Sequence, residues 1–242
     1  MAGGKNKVVT ATENSTAEIL INNPPLNVID TEVLQELIGA ITELEAQEGV
    51  ERVNIGSRVN ELFSVGFDTS CVLIRMEDRM DDIFTLARSV AWLIRSSEKF
   101  YIARIQGLCL GLGLELALSC DMVIYGRNTM IGYPDIIYGM PFLTGSPWTM
   151  FSEREAELML SGAVVAAEDA SLSRFVPSSS RAETGKNMLY ARRFYKKTRP
   201  RQISQIDGLL SKAYDLSAID LKGLERFREI AAGRLNIPFN PD

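Results

Sequence analysis

The chemistry in this chain gathers on two carboxylates and a run of glycines. Glu115 stands near the start of Leu114-Glu115-Leu116-Ala117-Leu118, a good helix sequence that follows Gly111-Leu112-Gly113 at once. Asp135 comes twenty residues later, behind Pro134 at the edge of another loop. Upstream, an apolar run of β character, Tyr101 to Ile105, ends at Gln106-Gly107. The N–H groups of a helix's first turn lack partners inside the helix and together carry a partial positive charge. Glycines before them let a ligand approach the backbone closely. A strand, a glycine loop and a buried helix start therefore make a cradle for a developing negative charge. Two carboxylates beside such a cradle point to acid–base chemistry. The plainer readings are a helix-dipole partner for Glu115 and a turn residue for Asp135.

Composition narrows the choices. Histidine is absent, which excludes Ser-His-Asp and Cys-His catalysis. Only cysteines and carboxylates remain as transition-metal ligands, so no metal is expected. Gly111-x-Gly113 lacks the third glycine of a dinucleotide fingerprint, because position 116 is Leu. The net charge of −5 argues against a nucleic-acid or membrane-surface binder. No apolar run approaches the roughly 18 residues that span a bilayer. The start, MAGGKNKVV, has no long apolar core of a secretory leader. Cys71, Cys109 and Cys120 are not paired by spacing and read as buried reduced thiols of a cytoplasmic protein. With 242 residues, 46% hydrophobic and 24% charged, the chain is long and apolar enough to bury a sizeable core.

The elements that must position the carboxylates follow from periodicity. Val8 to Thr12 and Ala17 to Asn22 read as strands around the polar turn Glu13-Asn14-Ser15. Asp30 is an N-cap for a helix to about Gln47, with Val33, Leu34, Leu37, Ile41 and Leu44 on one face. Arg52 to Gly56 reads as a strand, and Asp78 to Ser97 as a long amphipathic helix. Met122 to Tyr125 and Met130 to Gly132 read as short strands. Ser152-Glu153-Arg154-Glu155 is a capping box for a helix to about Ser161. Pro177-Ser178-Ser179-Ser180 is the best candidate boundary. Beyond it, helices are expected near 182–197, 201–216 and 221–235. Arg181 to Arg201 holds eight Lys/Arg and one Glu, so this segment is +7 and the remainder −12. That charge reads first as a solvated helix face.

Ile102 to Gly139 resembles the signature of the crotonase (enoyl-CoA hydratase/isomerase) family. Ile102, Ala103, Gly107, Gly111, Gly113, Glu115, Leu116, Ala117, Leu118, Cys120 and Asp121 match its first part. Gly132, Pro134 and Gly139 match its second, with Asp135 where the family usually has Glu. Leu62 to Ser70 is similar to the family's A-F-[SA]-A-G-x-D segment, and Asn22-Asn23-Pro24-Pro25-Leu26-Asn27 to its usual opening. The resemblance covers about residues 16 to 176.

It implies an α/β spiral of ββα units over residues 1–176, carrying an acyl-CoA site, and a helical oligomerisation module at 181–242. It implies a homo-oligomer, a trimer or a dimer of trimers, and an acyl-CoA thioester as substrate, with coenzyme A its only cofactor-like part. It implies catalysis by Glu115 and Asp135, and an oxyanion hole from the backbone N–H groups of Phe67 and Leu112. It further implies substrate contacts at Asn27, Val65, Gly66, Asp68, Gly111 and Phe142. The basic segment then gains a second reading, contact with the phosphates of coenzyme A.

Three departures bear on the reaction. Asp135 is one methylene shorter than Glu, about 1.5 Å, and a misplacement of that size can cost about a hundredfold in rate. Leu112 is bulky where the glycine triplet is usually bare. The family's P-G-A-G-G is Pro141-Phe142-Leu143-Thr144-Gly145, so Phe142, Leu143 and Trp148 are expected to reshape the acyl pocket. Hydration of a 2-enoyl-CoA is the leading expectation. The alternatives are Δ3–Δ2 isomerisation or other enolate chemistry (decarboxylation, thioester hydrolysis), and a non-catalytic acyl-CoA-binding subunit whose acyl end Leu112 and Phe142 obstruct.

Overall fold

The computed structural model describes residues 6–69, 76–145 and 152–179, together with 220, 222, 223, 226, 227 and 230. Cys71, Trp148, the basic segment 181–201 and the helices expected at 182–197 and 201–216 lie outside the described residues.

The chain alternates between two sheets. Strands β1 (Val8–Glu13) and β2 (Thr16–Ile21) form an antiparallel hairpin, followed by helix α1 (Thr31–Glu45). Next come β3 (Arg52–Ser57), β4 (Leu62–Ser64) and α2 (Met76–Ser96). The pattern repeats as β5 (Phe100–Ile105), β6 (Leu108–Leu110) and α3 (Leu112–Ser119). A third pass gives β7 (Met122–Tyr125), β8 (Met130–Gly132) and a 3-10 helix (Pro134–Tyr138). Helix α4 (Glu153–Ser161) and strands β9 (Val164–Ala166) and β10 (Phe175–Pro177) follow. The larger sheet runs β1-β2-β3-β5-β7-β10 and the smaller β4-β6-β8-β9. The first unit lays both of its strands in the larger sheet, and each of the next three lays one strand in each sheet before its helix, the expected ββα repeat.

Burial explains the order. Parallel strands covered on both faces read as continuous apolar runs, and in β5 only Arg104 is exposed. The inward faces of the larger sheet, with Ile19, Ile55, Tyr101 and Val123, share one core with the apolar stripe of α1 and with Ile83, Val90 and Ile94 of α2. Asp30 caps α1 as expected, accepting from Val33 N–H at 2.7 Å, and Lys7 pairs with it. Helix α3 is buried along all eight residues, so it has no solvent face and belongs to the interior. Among the described residues no helix is long and apolar enough to cross a membrane.

The far end of α3 is locked by a buried ion pair. Ser152 and Glu155 form the expected capping box of α4. Glu155, fully buried, also receives Arg174 in a fork, Nε to Oε1 at 2.6 Å and Nη2 to Oε2 at 3.1 Å. Arg174 Nη1 donates to the carbonyls of Leu118 and Cys120 at 2.6 and 3.3 Å, a cation at a helix C-terminus. Breaking a buried pair leaves an uncompensated charge. Arg174→Ala is therefore expected to lower unfolding stability by about 3–5 kcal/mol, with Arg174→Lys recovering only part because the fork is lost. Equilibrium denaturation in urea checks this.

Candidate active site

The start of α3 sits where the two sheets meet. Strand β6 ends at Leu110, and Gly111 turns the chain with φ +52°, a conformation that favours glycine. A Cβ at Gly111 would lie 2.5 Å from Asp135 Oδ2 and 2.7 Å from Oδ1. The Asp135 carboxylate therefore rests on the bare α-carbon one helical turn before Glu115. Gly113 is small for a different reason: a Cβ there would stand 2.9 Å from Ser64 Cβ, so the helix start presses on the end of β4. Between them Leu112 is the first helical residue, and its N–H has no intrahelical acceptor. Its side chain is fully buried in the main core.

Residues 65–68 continue β4. Ile29 N–H donates to Gly66 O at 2.8 Å and Asp68 N–H to Ile29 O at 3.0 Å, a parallel bridge that has Phe67 as its middle residue. Successive N–H groups of an extended chain alternate sides, so the Phe67 N–H faces away from Ile29. The Phe67 side chain, like that of Leu112, lies in the main core. Gly66 N–H donates to Ser64 Oγ at 3.0 Å. Val65 packs with Leu26, Leu62, Leu108 and Leu110 in a second cluster.

Glu115 is fully buried. Its Oε1 accepts from Leu143 N–H at 3.1 Å, and its Oε2 from Thr144 N–H at 2.7 Å and Thr144 Oγ1 at 2.6 Å. Burial pushes its carboxyl up from the ordinary 4.5 to about 7, and these donors and the Tyr133 hydroxyl hold it from going higher. Asp135, 1% exposed, is the second residue of the 3-10 helix, whose end is turned by Gly139 at φ +83°. Tyr133 donates its hydroxyl to Pro141 O at 2.7 Å, and its ring stacks on Phe142 with centroids 4.5 Å apart. Phe142 is thus part of the packing that shapes the 141–145 loop.

Asn27 is held at φ +52° with its side chain committed to the protein. Its Nδ2 donates to Phe63 O at 2.7 Å and Ser57 Oγ at 3.0 Å, and its Oδ1 accepts from Asn23 N–H at 2.7 Å. It braces the loop after β2. Leu143, Thr144 and Tyr133 were not readable as partners of Glu115, because 28 and 29 residues separate Glu115 from the two loop donors. The only sequence signal was that Pro141–Gly145 departs from the expected glycine-rich segment. From the C-terminal part, the Asp220 N–H donates to Tyr138 O at 2.8 Å, and the Phe227 ring lies 6.4 Å from that of Tyr138. Both contacts fall on the 3-10 helix that carries Asp135. No group of three or more metal-ligating side chains is present among the described residues.

Residues 11–175 match the sequence profile of the enoyl-CoA hydratase/isomerase family. The chain belongs to that family. A probable enoyl-CoA hydratase of Bacillus subtilis (strain 168) is 28% identical over 171 residues, covering 68% of this chain and 66% of its own length. A crotonyl-CoA hydratase of Syntrophomonas wolfei is 31% identical over 136 residues, 55% of this chain and 52% of its own. The chain spans between about half and two thirds of the length of the curated relatives it matches. Among solved structures, Pseudomonas aeruginosa DspI superposes with a TM-score of 0.66 at 23% identity, over 94% of this chain and 90% of that one. An enoyl-CoA hydratase of Geobacillus kaustophilus does so with 0.64 at 22%, over 96% and 89%. These likenesses establish the crotonase fold, and the family profile covers both carboxylates and both segments expected to form the oxyanion hole.

The raised carboxyl of Glu115 makes a prediction for the folded protein. Between about 4.5 and 7 the native state holds a proton at Glu115 that the unfolded chain has lost. Stability rises with pH only where the unfolded state binds more protons, so here it falls. The contribution is fully present below about 4.5 and lost as pH rises through about 7. Urea denaturation from pH 4 to pH 8 is expected to show this decline in the parent and its absence in Glu115→Gln.

Proposed function

We propose that this chain adds water across the double bond of a 2-enoyl-CoA thioester through an enolate. The observation that carries the reading is the pair of buried carboxylates, Glu115 and Asp135, set around the first turn of one buried helix. The thioester oxygen lies between the N–H groups of Phe67 and Leu112. Water attacks C3 and gives its proton to one carboxylate, while the electron pair moves to the thioester oxygen as an enolate. The other carboxylate then delivers a proton to C2. A carboxyl that titrates near 7, as Glu115 does, can give or take a proton at neutral pH. Each oxyanion donor is worth about 2.7–4 kcal/mol in comparable sites, and coenzyme A supplies binding energy remote from the reacting carbon. Names of relatives such as the crotonyl-CoA hydratase support the same substrate class.

A second reading, proton transfer between C2 and C4 of a 3-enoyl-CoA, is favoured by the seat of Asp135. Its shorter side chain rests against Gly111, which leaves Glu115 as the longer carboxylate. We further propose a homo-oligomer, a trimer or dimer of trimers, in a cytoplasmic setting; light scattering on the purified protein tests the assembly.

Crotonyl-CoA is expected to lose its conjugated-thioester absorbance in the presence of the parent. Glu115→Gln should lower that rate by about 10²–10⁴ and Asp135→Asn by a similar factor, as for removal of a general acid or base. A silent parent across enoyl-CoA chain lengths, with conversion of a 3-enoyl-CoA, would replace hydration by isomerisation.

A further inference from the structure

Thr144 stands where the family signature has a residue without a hydroxyl, in the segment Pro141-Phe142-Leu143-Thr144-Gly145. Its side chain is buried, 2% exposed, and its hydroxyl lies 2.6 Å from Glu115 Oε2. The Thr144 N–H meets the same oxygen at 2.7 Å. An ionised carboxylate offers about two lone-pair sites on each oxygen, so Oε2 has both of its own filled. Leu143 N–H meets Oε1 at the longer distance of 3.1 Å, and the Tyr133 hydroxyl adds a further bond to the carboxyl. Thr144 is the residue that meets one oxygen with two donors. Threonine suits the task because its branched Cβ is stiff about χ1, which holds the hydroxyl in place.

We propose that Thr144 is a positioning residue: its hydroxyl and N–H together anchor Glu115 Oε2 and so fix the carboxylate that exchanges protons with substrate or water. The proposal rests on the reading of Glu115 as an acid–base group. Thr144 touches no reacting atom and acts through Glu115 alone. Donation to the ionised form favours it, so the hydroxyl also offsets the burial that drives this carboxyl upward. The titratable neighbours are Tyr133, whose hydroxyl stands within hydrogen-bond reach of both the Glu115 carboxyl and Pro141 O, and Asp135, seated on Gly111. Neither belongs to the 141–145 loop, so changing Thr144 leaves both in place.

The test reads Glu115 directly. The side-chain carboxyl is followed by ¹³C NMR in glutamate-labelled protein, its signal assigned by its loss in Glu115→Gln, and titrated in the parent, Thr144→Val, Thr144→Ala and Thr144→Ser. Hydrogen bonds to charged groups carry about 1.5–3 kcal/mol, equivalent to an upward shift of about one to two pH units. That shift is expected in Thr144→Val and in Thr144→Ala, the latter deciding if the valine variant does not fold, with Thr144→Ser returning to the parent midpoint. A midpoint unmoved in the folded valine or alanine variant overturns the proposal, even if the parent hydrates crotonyl-CoA. A shifted midpoint in a parent inactive on every enoyl-CoA supports the anchoring and overturns the functional reading. In an active parent, the acidic limb of the kcat profile is expected to move up by the same interval in Thr144→Val.

Discussion

The structure depends on how it houses the carboxylate of Glu115. Burying a charge without compensation is costly, and the compensation here comes from neutral donors on Leu143 and Thr144. That loop can reach Glu115 only because the 3-10 helix turns at Gly139 and Tyr133 ties down Pro141. In the other direction, the helix that carries Glu115 is wholly buried and needs Gly113 to seat against Ser64. Both sheets, the 3-10 helix and the loop are thus arranged around one polar group in an apolar interior.

A second buried glutamate shows the contrast. Glu155 has an arginine fork against it and a capping role at its helix start. A fixed cation offsets the burial of such a group and makes it structural. Glu115 is held by dipoles, which permit it to carry or release a proton. The two glutamates bear on opposite ends of α3: one sits in its first turn, the other braces the far end through Arg174. Residue type alone does not divide these roles; the partner does.

Much of the fold was legible because its longer elements obey periodicity. The stripe of α1, the Asp30 cap, the alternating β2 and the Ser152 box each state their structure locally. Apart from Met130–Gly132, the three-residue strands did not. Leu62–Ser64 and Leu108–Leu110 are too short to show a period, and only their pairing makes them strands. At the site, the carboxylates and glycines were visible as a motif. The distinct duties of Gly111 and Gly113 were not, since each answers to a residue distant in sequence: Asp135 in one case, Ser64 in the other. The inward turn of Leu112 and the commitment of Asn27 to Phe63 and Ser57 were hidden for the same reason.

The pairing of β4 with β6 has a wider meaning. Ser64 aligns with Cys109 in neighbouring parallel strands; Phe67 follows the end of the first by three residues, and Leu112 that of the second by two. The gap between their N–H groups is therefore set by the sheet together with the turns at Gly66 and Gly111. A strand advances about 3.3 Å per residue, so a slip of a single residue would displace one donor by more than a hydrogen bond's length. The spacing of this pair is a property of the backbone, and drift at either side chain can leave it intact so long as the core still fills.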